Sequence, residues 1–201
     1  MTNIGLYFGT FNPIHLGHLV IANYMAHHAD LDKVWLVVSP HNPLKNLHEL
    51  MPDHHRLQMV RLAIKENEKL EVCDAEFDLP KPSYTIHTLR HLRKEFPDYR
   101  FSIIMGEDNL VNLTKWKDYM EILEHYPLMV YPRISAQQPD RKLLDGLPTE
   151  FQVAQITQCD APLLEISSTF IRESIRDKKD VRYLVPEAVT NYISNNFLYE
   201  E

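Results

Sequence analysis

Glycine is scarce, with five in 201 residues, where average usage near 7% would place about fourteen. Thirteen prolines run the other way, so turns are built from proline and polar residues, and collagen-like or Gly/Ser-linker architectures are excluded. Only two cysteines occur, Cys73 and Cys159, neither in CxxC or CxxH spacing. That argues against a disulfide scaffold or a zinc knuckle and fits two buried small hydrophobes in a reducing compartment. Long apolar runs of about 18 residues are also missing, and Met1-Thr2-Asn3 enters an apolar stretch without a basic flank. Neither a membrane span nor a signal peptide is indicated, which points to a cytoplasmic protein. Positive charge is short as well: 21 Lys and Arg against 28 Asp and Glu leave −7. A general nucleic-acid binder working by phosphate neutralisation is thereby disfavoured, and any phosphate site must be local. Finally, no GxxxxGK[ST] loop and no GxGxxG turn is present, which argues against a P-loop kinase and a dinucleotide-dependent dehydrogenase.

What is present is an alternation of short apolar runs with longer amphipathic ones. Residues 4–8 read as a strand, followed by Leu16, Leu19, Val20, Asn23 and Tyr24 at helical spacing. Residues 34–38 form a second strand, residues 39–52 a loop rich in Pro, Asn and His, and Leu57, Val60, Ala63 and Ile64 one face of a helix. A third unit pairs residues 70–73 with a helix carrying Ile86, Leu89, His91 and Leu92. The fourth strand is 101–105, after which a helical region runs from Gly106 through Trp116 to Leu123. A fifth strand covers 128–131, residues 132–148 form a polar surface excursion, and a sixth strand spans 152–156. Ser167, Ser168 and Thr169 supply N-cap chemistry for a helix through Ile175, and Pro186 starts a last helix through Ile193. Such alternation predicts an α/β fold, a doubly wound, mostly parallel sheet with helices on both faces. Ligands then bind beyond the carboxyl ends of the strands, at the switch point.

The loop after the first strand reads Gly9-Thr10-Phe11-Asn12-Pro13-Ile14-His15-Leu16-Gly17-His18 and runs directly into a helix. Exposed backbone N–H groups and the positive end of the helix dipole favour an anion there. His15 and His18, three apart, lie on one side of the first turn and can reach one phosphate chain. Gly17 between them keeps a side chain out of the space a phosphate would occupy. An arbitrary HxxH pair is more often two surface histidines. Two imidazoles are also an incomplete zinc shell, and His27-His28 and His54-His55 fall in helices where a solvated or packing role is the better reading.

The whole string resembles the GxFxPxHxGH signature of the nucleotidylyltransferase superfamily. About 150 residues later, Ile166-Ser167-Ser168-Thr169-Phe170-Ile171-Arg172 resembles the ISSTxIR motif. That form is similar to the nicotinate mononucleotide adenylyltransferase family. Further matches are Asn42-Pro43-Leu44-Lys45, Ser83-Tyr84-Thr85, Gly106-Glu107-Asp108-Asn109-Leu110, Trp116 and Arg182-Tyr183-Leu184-Val185-Pro186. They extend the resemblance over nearly the whole chain, and imply one Rossmann-like domain over 1–201 with a helical portion from about residue 167. Two departures are visible: Phe8 stands where the family often has the first glycine of a Gly-Gly doublet, and Asn12 where Asp is frequent.

The resemblance implies transfer of the adenylyl group of ATP to nicotinate mononucleotide, giving nicotinate adenine dinucleotide and pyrophosphate in NAD biosynthesis, with Mg²⁺ arriving on the triphosphate and no metal held by protein side chains. The chemistry is direct attack on the α-phosphorus, so positioning and charge stabilisation matter more than a protein nucleophile. His18, His15, Arg172 and Lys45 are the catalytic candidates, His18 foremost as the residue deeper in the helix turn. Gly9, Thr10, Phe11, Gly106, Asp108, Ser168 and Thr169 join His15, His18 and Arg172 around ATP. Asn12, Lys45, Thr85, Trp116 and Lys117 face the acceptor, with Trp116 stacking on the pyridine ring. Backbone N–H groups near Thr85 and Lys117 would meet the pyridine carboxylate, which favours the acid over the amide. Alternative readings are nicotinamide mononucleotide as acceptor, a pantetheine-phosphate adenylyltransferase or a cytidylyltransferase, a non-catalytic nucleotide-binding sensor, and a metal binder drawing on the eleven histidines. Gly5, Gly9, Gly17 and Gly106 all fall in or beside the proposed nucleotide segments, which predicts close approach of the nucleotide to the backbone there.

Overall fold

The computed structural model describes residues 1–42, 50–132, 146–162 and 164–200. Six strands form one sheet in the order β3-β2-β1-β4-β5-β6: β1 Thr2–Gly9, β2 Lys33–Val38, β3 Leu70–Cys73, β4 Tyr99–Gly106, β5 Leu128–Tyr131 and β6 Ile156–Gln158. All five pairings are parallel. The chain winds outward from β1 through β3, returns to place β4 beside β1, and winds outward again. The reversal, and with it the topological switch point, lies between β1 and β4.

Side-chain alternation along the strands sorts the core into two layers. Val34, Leu36 and Val38 of β2, with Tyr7 and Ile104, pack against helices α1 Leu16–His28, α2 Asp53–Ile64, α6 Ser168–Arg176 and α7 Glu187–Asn195. Trp35 and Val37, with Ile4, Leu6, Phe101, Ile103 and Met105, pack on the other face against α3 Thr85–Glu95, α4 Glu107–Val111 and α5 Tyr119–His125. Strands apolar on both faces are what a sheet covered on both sides requires. Among the described residues no helix is long and apolar enough to cross a membrane.

Two segments differ from the sequence-based expectation. The sixth strand begins only at Ile156, because residues 152–153 belong to a 3₁₀ turn, Thr149–Val153. Pro148 caps that turn by accepting the N–H of Phe151 at 3.0 Å, and Phe151 is buried. The Pro-Thr-Glu start outweighs the β-branched residues that follow. The helical region after Gly106 is not continuous either. It breaks into α4, a 3₁₀ turn at Leu113–Lys115 and α5, with Asp118 in the left-handed region at φ 50° as the hinge before α5. Most of the expected surface excursion, residues 133–145, lies outside the described residues.

Candidate active site

A cleft of about 480 Å³ opens at the carboxyl ends of β1 and β4. Two helix N-termini converge on it. From one side come the residues after β1 and the first turn of α1, with His15 and His18. From the other come Ser168, Thr169 and Arg172 of α6. Asp108 of α4 and the indole of Trp116 complete the rim. The two motifs about 150 residues apart in sequence thus form opposite walls of one cavity.

His15 is the N-cap residue of α1 in extended conformation. Its ring stacks on that of His18, with centroids 3.7 Å apart and planes 28° from parallel. Its backbone N–H donates to His18 Nδ1 at 3.3 Å, which leaves the proton of the neutral His18 ring on Nε2 and makes that nitrogen a donor. His15, not His18, is the more deeply buried of the two, at 5% exposure. His18 is half-buried and lines the same cleft. Phe11, at φ 45°, packs edge-on against the His18 ring at 5.1 Å.

Gly9 lines the cleft, as expected of the phosphate loop, and the glycines also make close packing contacts. A Cβ on Gly17 would lie 3.0 Å from His15 Nδ1, so the missing side chain makes room for the imidazole. At Gly9 a Cβ would lie 2.8 Å from the Phe11 ring, and at Gly5 it would strike Ile104 and Leu31 at 2.7 Å. Gly106 ends β4 and caps α4 in extended conformation without lining the cleft. These glycines let protein pack on protein.

At α6, Ser167 is the N-cap and its Oγ accepts the N–H of Phe170 at 3.1 Å, as its position predicts. Ser168 Oγ donates to the carbonyl of Pro13 at 2.9 Å. Arg172 Nη1 donates to the carbonyl of Asn12 at 2.9 Å and Nη2 to Thr169 Oγ1 at 3.4 Å. The α6 motif therefore binds the loop after β1 directly. Leu184, in the closing Arg182–Pro186 stretch, accepts the N–H of Leu16 at 2.9 Å and so satisfies one of the free amides at the start of α1. Asn12 is 3% exposed. Its Oδ1 accepts the N–H of Met51 at 3.1 Å and the hydroxyl of Tyr199 at 3.0 Å. Both interactions need a side-chain oxygen, which Asn and Asp share.

On the proposed acceptor side, Trp116 lines the cleft, and its Nε1 is buried with no hydrogen-bond partner among the described residues. Lys117 Nζ lies 4.8 Å from the centre of the Tyr84 ring, and Tyr84 caps α3, whose first residue is Thr85. Thr85 and Lys117 are not part of the cleft wall. Lys117 reaches the ring of Tyr84, the residue before Thr85. Lys45, with Pro43 and Leu44 of the same motif, lies outside the described residues, while Asn42 lines the cleft.

Several groups escaped sequence reasoning. Tyr7 and Tyr131 join hydroxyls at 3.2 Å in the cleft floor, where strand residues alone carried no signal. Arg56 is 1% exposed, and its only clue was a cation on the face of α2 that also carries Met59 and Val60. Tyr199, in the last turn of the chain, had no local signal at all. Burial pushes the Cys73 thiol up to about 11 and raises that of Cys159, so neither supplies a thiolate nucleophile. The His27-His28 and His54-His55 pairs lie in α1 and α2 away from the cleft wall, and His55 Nδ1 pairs with the Tyr192 hydroxyl at 2.9 Å. Among the described residues no group of three His, Cys, Asp or Glu side chains is placed to hold a metal ion.

A nucleotide cleft at the switch point of a doubly wound sheet, walled by an HxGH helix start and a serine-capped helix with an arginine, defines a nucleotidyltransferase. The cytidylyltransferase-like family model matches residues 6–174. A protein of Flavobacterium johnsoniae described as a probable nicotinate-nucleotide adenylyltransferase is 52% identical over 198 residues, covering 98% of this chain and 99% of the relative. One of Flavobacterium psychrophilum with the same description is 50% identical over the same shares. Among solved structures, a Plasmodium falciparum nicotinic acid mononucleotide adenylyltransferase complexed with NaAD superposes with a TM-score of 0.79 at 20% identity. It covers 100% of this chain and 98% of its own, a likeness of fold. The chain belongs to the nicotinate-nucleotide adenylyltransferase family, within the cytidylyltransferase-like enzymes.

Proposed function

We propose that the cleft transfers the adenylyl group of ATP to nicotinate mononucleotide, forming nicotinate adenine dinucleotide and releasing pyrophosphate. The observation that carries this reading is the convergence of the α1 and α6 N-termini, with His15, His18 and Arg172, on one cavity. Two positive helix ends and a guanidinium facing each other suit a chain of phosphates.

His18 Nε2–H donates to the charge that grows on the α-phosphate as the acceptor oxygen attacks, and His15 supports the β- and γ-phosphates. The acceptor phosphate already carries an ionised oxygen, so neither a general base nor a protein nucleophile is needed. Arg172, with Ser168 and Thr169, holds the leaving pyrophosphate. Gly9, Thr10 and Phe11 shape the loop under the phosphates, and Asp108 accepts hydrogen bonds from the adenosine ribose. Lys45 adds positive charge from its loop. Mg²⁺ bound with the triphosphate would supply further charge neutralisation.

Trp116 stacks on the pyridine ring, and the N–H groups near Thr85 and Lys117 donate to its carboxylate. An amide in that place turns its own NH₂ toward donors, so nicotinamide mononucleotide is the poorer acceptor. Free buried thiols and an ATP substrate fit a cytoplasmic setting. Pyrophosphate release with ATP and Mg²⁺ tests the proposal, each pyridine mononucleotide being supplied in turn. Release faster with nicotinate mononucleotide supports it; equal rates remove the acid preference, and no release with either refutes it.

A further inference from the structure

Arg56 lies in the first turn of α2, 1% exposed. It is the largest fully buried side chain of the described residues, and among them its acceptors are all backbone carbonyls. Nη1 donates to Thr10 at 2.7 Å and to Ser39 at 2.8 Å. Nη2 donates to Pro40 at 3.0 Å, and Nε to Met51 at 2.8 Å. Four of the five N–H groups of a guanidinium are thus used. Taking such a cation out of water costs several kcal/mol unless its donors are satisfied, and a carbonyl set is weaker compensation than a carboxylate. An apolar residue would fill the volume more cheaply, so the identity of this residue needs a reason besides packing.

The four carbonyls supply that reason. Thr10 belongs to the loop after β1 that leads to His15 and His18. Ser39 and Pro40 stand at one end of the segment after β2, and Met51 at its other end, bracketing residues 41–50. A single planar fork therefore fixes the phosphate loop relative to Ser39 and Pro40, just before Asn42, and to Met51. Each loop has its own further anchors. Ser39 N–H donates to Gly9 at 2.9 Å, and Asn12 is held by Met51, Tyr199 and Arg172. Arg56 is the group that reaches both loops through one rigid plane.

We propose that Arg56 is a positioning residue for the adenylyl transfer, registering the phosphate loop with the loop after β2 so that donor and acceptor phosphates meet in line. The inference rests on the adenylyltransferase reading of the cleft. Because the hydrogen bonds of Arg56 among the described residues go to backbone carbonyls and it does not line the cleft, its loss should leave each ligand its own contacts and disturb their mutual alignment. Misplacement by about 1 Å is enough to cost about 100-fold in rate.

The test compares wild type with Arg56→Lys and Arg56→Gln. The lysine keeps the charge as a single point and loses the planar fork. Pyrophosphate release is measured with ATP, Mg²⁺ and nicotinate mononucleotide, each ligand is titrated by calorimetry, and folding is followed by circular dichroism and thermal melting. The expected result is a folded Arg56→Lys protein whose kcat falls about 10- to 100-fold while the dissociation constants of ATP and of nicotinate mononucleotide each stay within about threefold. A kcat within about twofold of wild type overturns the proposal. So does a loss confined to the binding of one ligand, which makes Arg56 a support for that subsite alone. Failure of both variants to fold overturns it too, leaving Arg56 a folding residue. Absence of release by the wild type strikes the adenylyltransferase reading itself and is thereby told apart from these.

Discussion

The two sides of the cleft are built differently. On the phosphate side, Phe11, Asn12, Ile14 and His15 are each no more than 5% exposed. The loop they form is gripped by groups from α2, α6, the segment before α7 and the end of the chain: Arg56, Arg172, Ser168, Leu184 and Tyr199. On the side proposed for the pyridine ring, Lys117 is exposed, Trp116 is half-buried, and the backbone passes through two short helices and a 3₁₀ turn interrupted at Asp118. The contrast suits the proposed division of the cleft. Donors to a developing charge stabilise it only if they are already oriented, since reorganising them during reaction would consume the gain. A flat aromatic ring needs one stacking face and a few donors nearby, which a more open wall can provide.

Substitutions on the two sides should therefore separate by kind as well as by size. The largest effect is expected from His18→Ala: a fall in pyrophosphate release of about 100- to 1,000-fold, the cost of losing a preorganised donor, with nicotinate mononucleotide binding nearly unchanged. A rate within a few-fold of wild type would place the charge-stabilising group elsewhere. Next comes Trp116→Ala, which should weaken nicotinate mononucleotide about 3- to 10-fold and leave ATP alone in calorimetric titrations. Equal losses for both ligands would erase the division of the cleft. Smaller again is Tyr199→Phe, which removes one hydroxyl from Asn12 while Met51 still donates to it. A loss of about 1 kcal/mol and about 2–4 °C in melting temperature is expected, and an unchanged melting point would show that the end of the chain does not brace the loop.

The smallest effect concerns acid. Burial holds His55 and His87 below their ordinary value of 6.5, with His54 adding to the effect on the first and Lys117 and Arg90 on the second. Between the folded and unfolded values the unfolded chain binds more protons, so stability rises with pH across that window. It should be lost as pH falls from about 6.5 through the folded values and stay flat just above. His55→Gln should flatten part of the slope of melting temperature against pH; an identical slope would show that His55 does not contribute to it.

Much of this was legible locally. Strand, loop and helix after residue 4 follow from period and from the His15–His18 spacing, and Ser167 reads as a cap before any coordinate is known. What was not legible depends on neighbours distant in sequence. Gly17 serves His15, and Gly9 serves Phe11, through ring positions that only the folded loop defines. Arg56 finds its acceptors in three different segments, and Tyr199 reaches Asn12 across 187 residues. The break at Asp118 is a local left-handed residue, yet aspartate tolerates that conformation without demanding it. The β6 boundary moved because Pro148 and a buried Phe151 favour a turn where β-branched residues alone suggested a strand.

In the proposed reaction every residue around the phosphates orients or neutralises and none forms a bond to the nucleotide, and burial raises both thiols out of the nucleophilic range. The configuration of the α-phosphorus tests this directly. With ATP carrying a chiral α-phosphorothioate, a single in-line displacement predicts inversion in the dinucleotide product. Retention would mean two successive displacements through a covalent nucleotidyl-enzyme and would contradict the account.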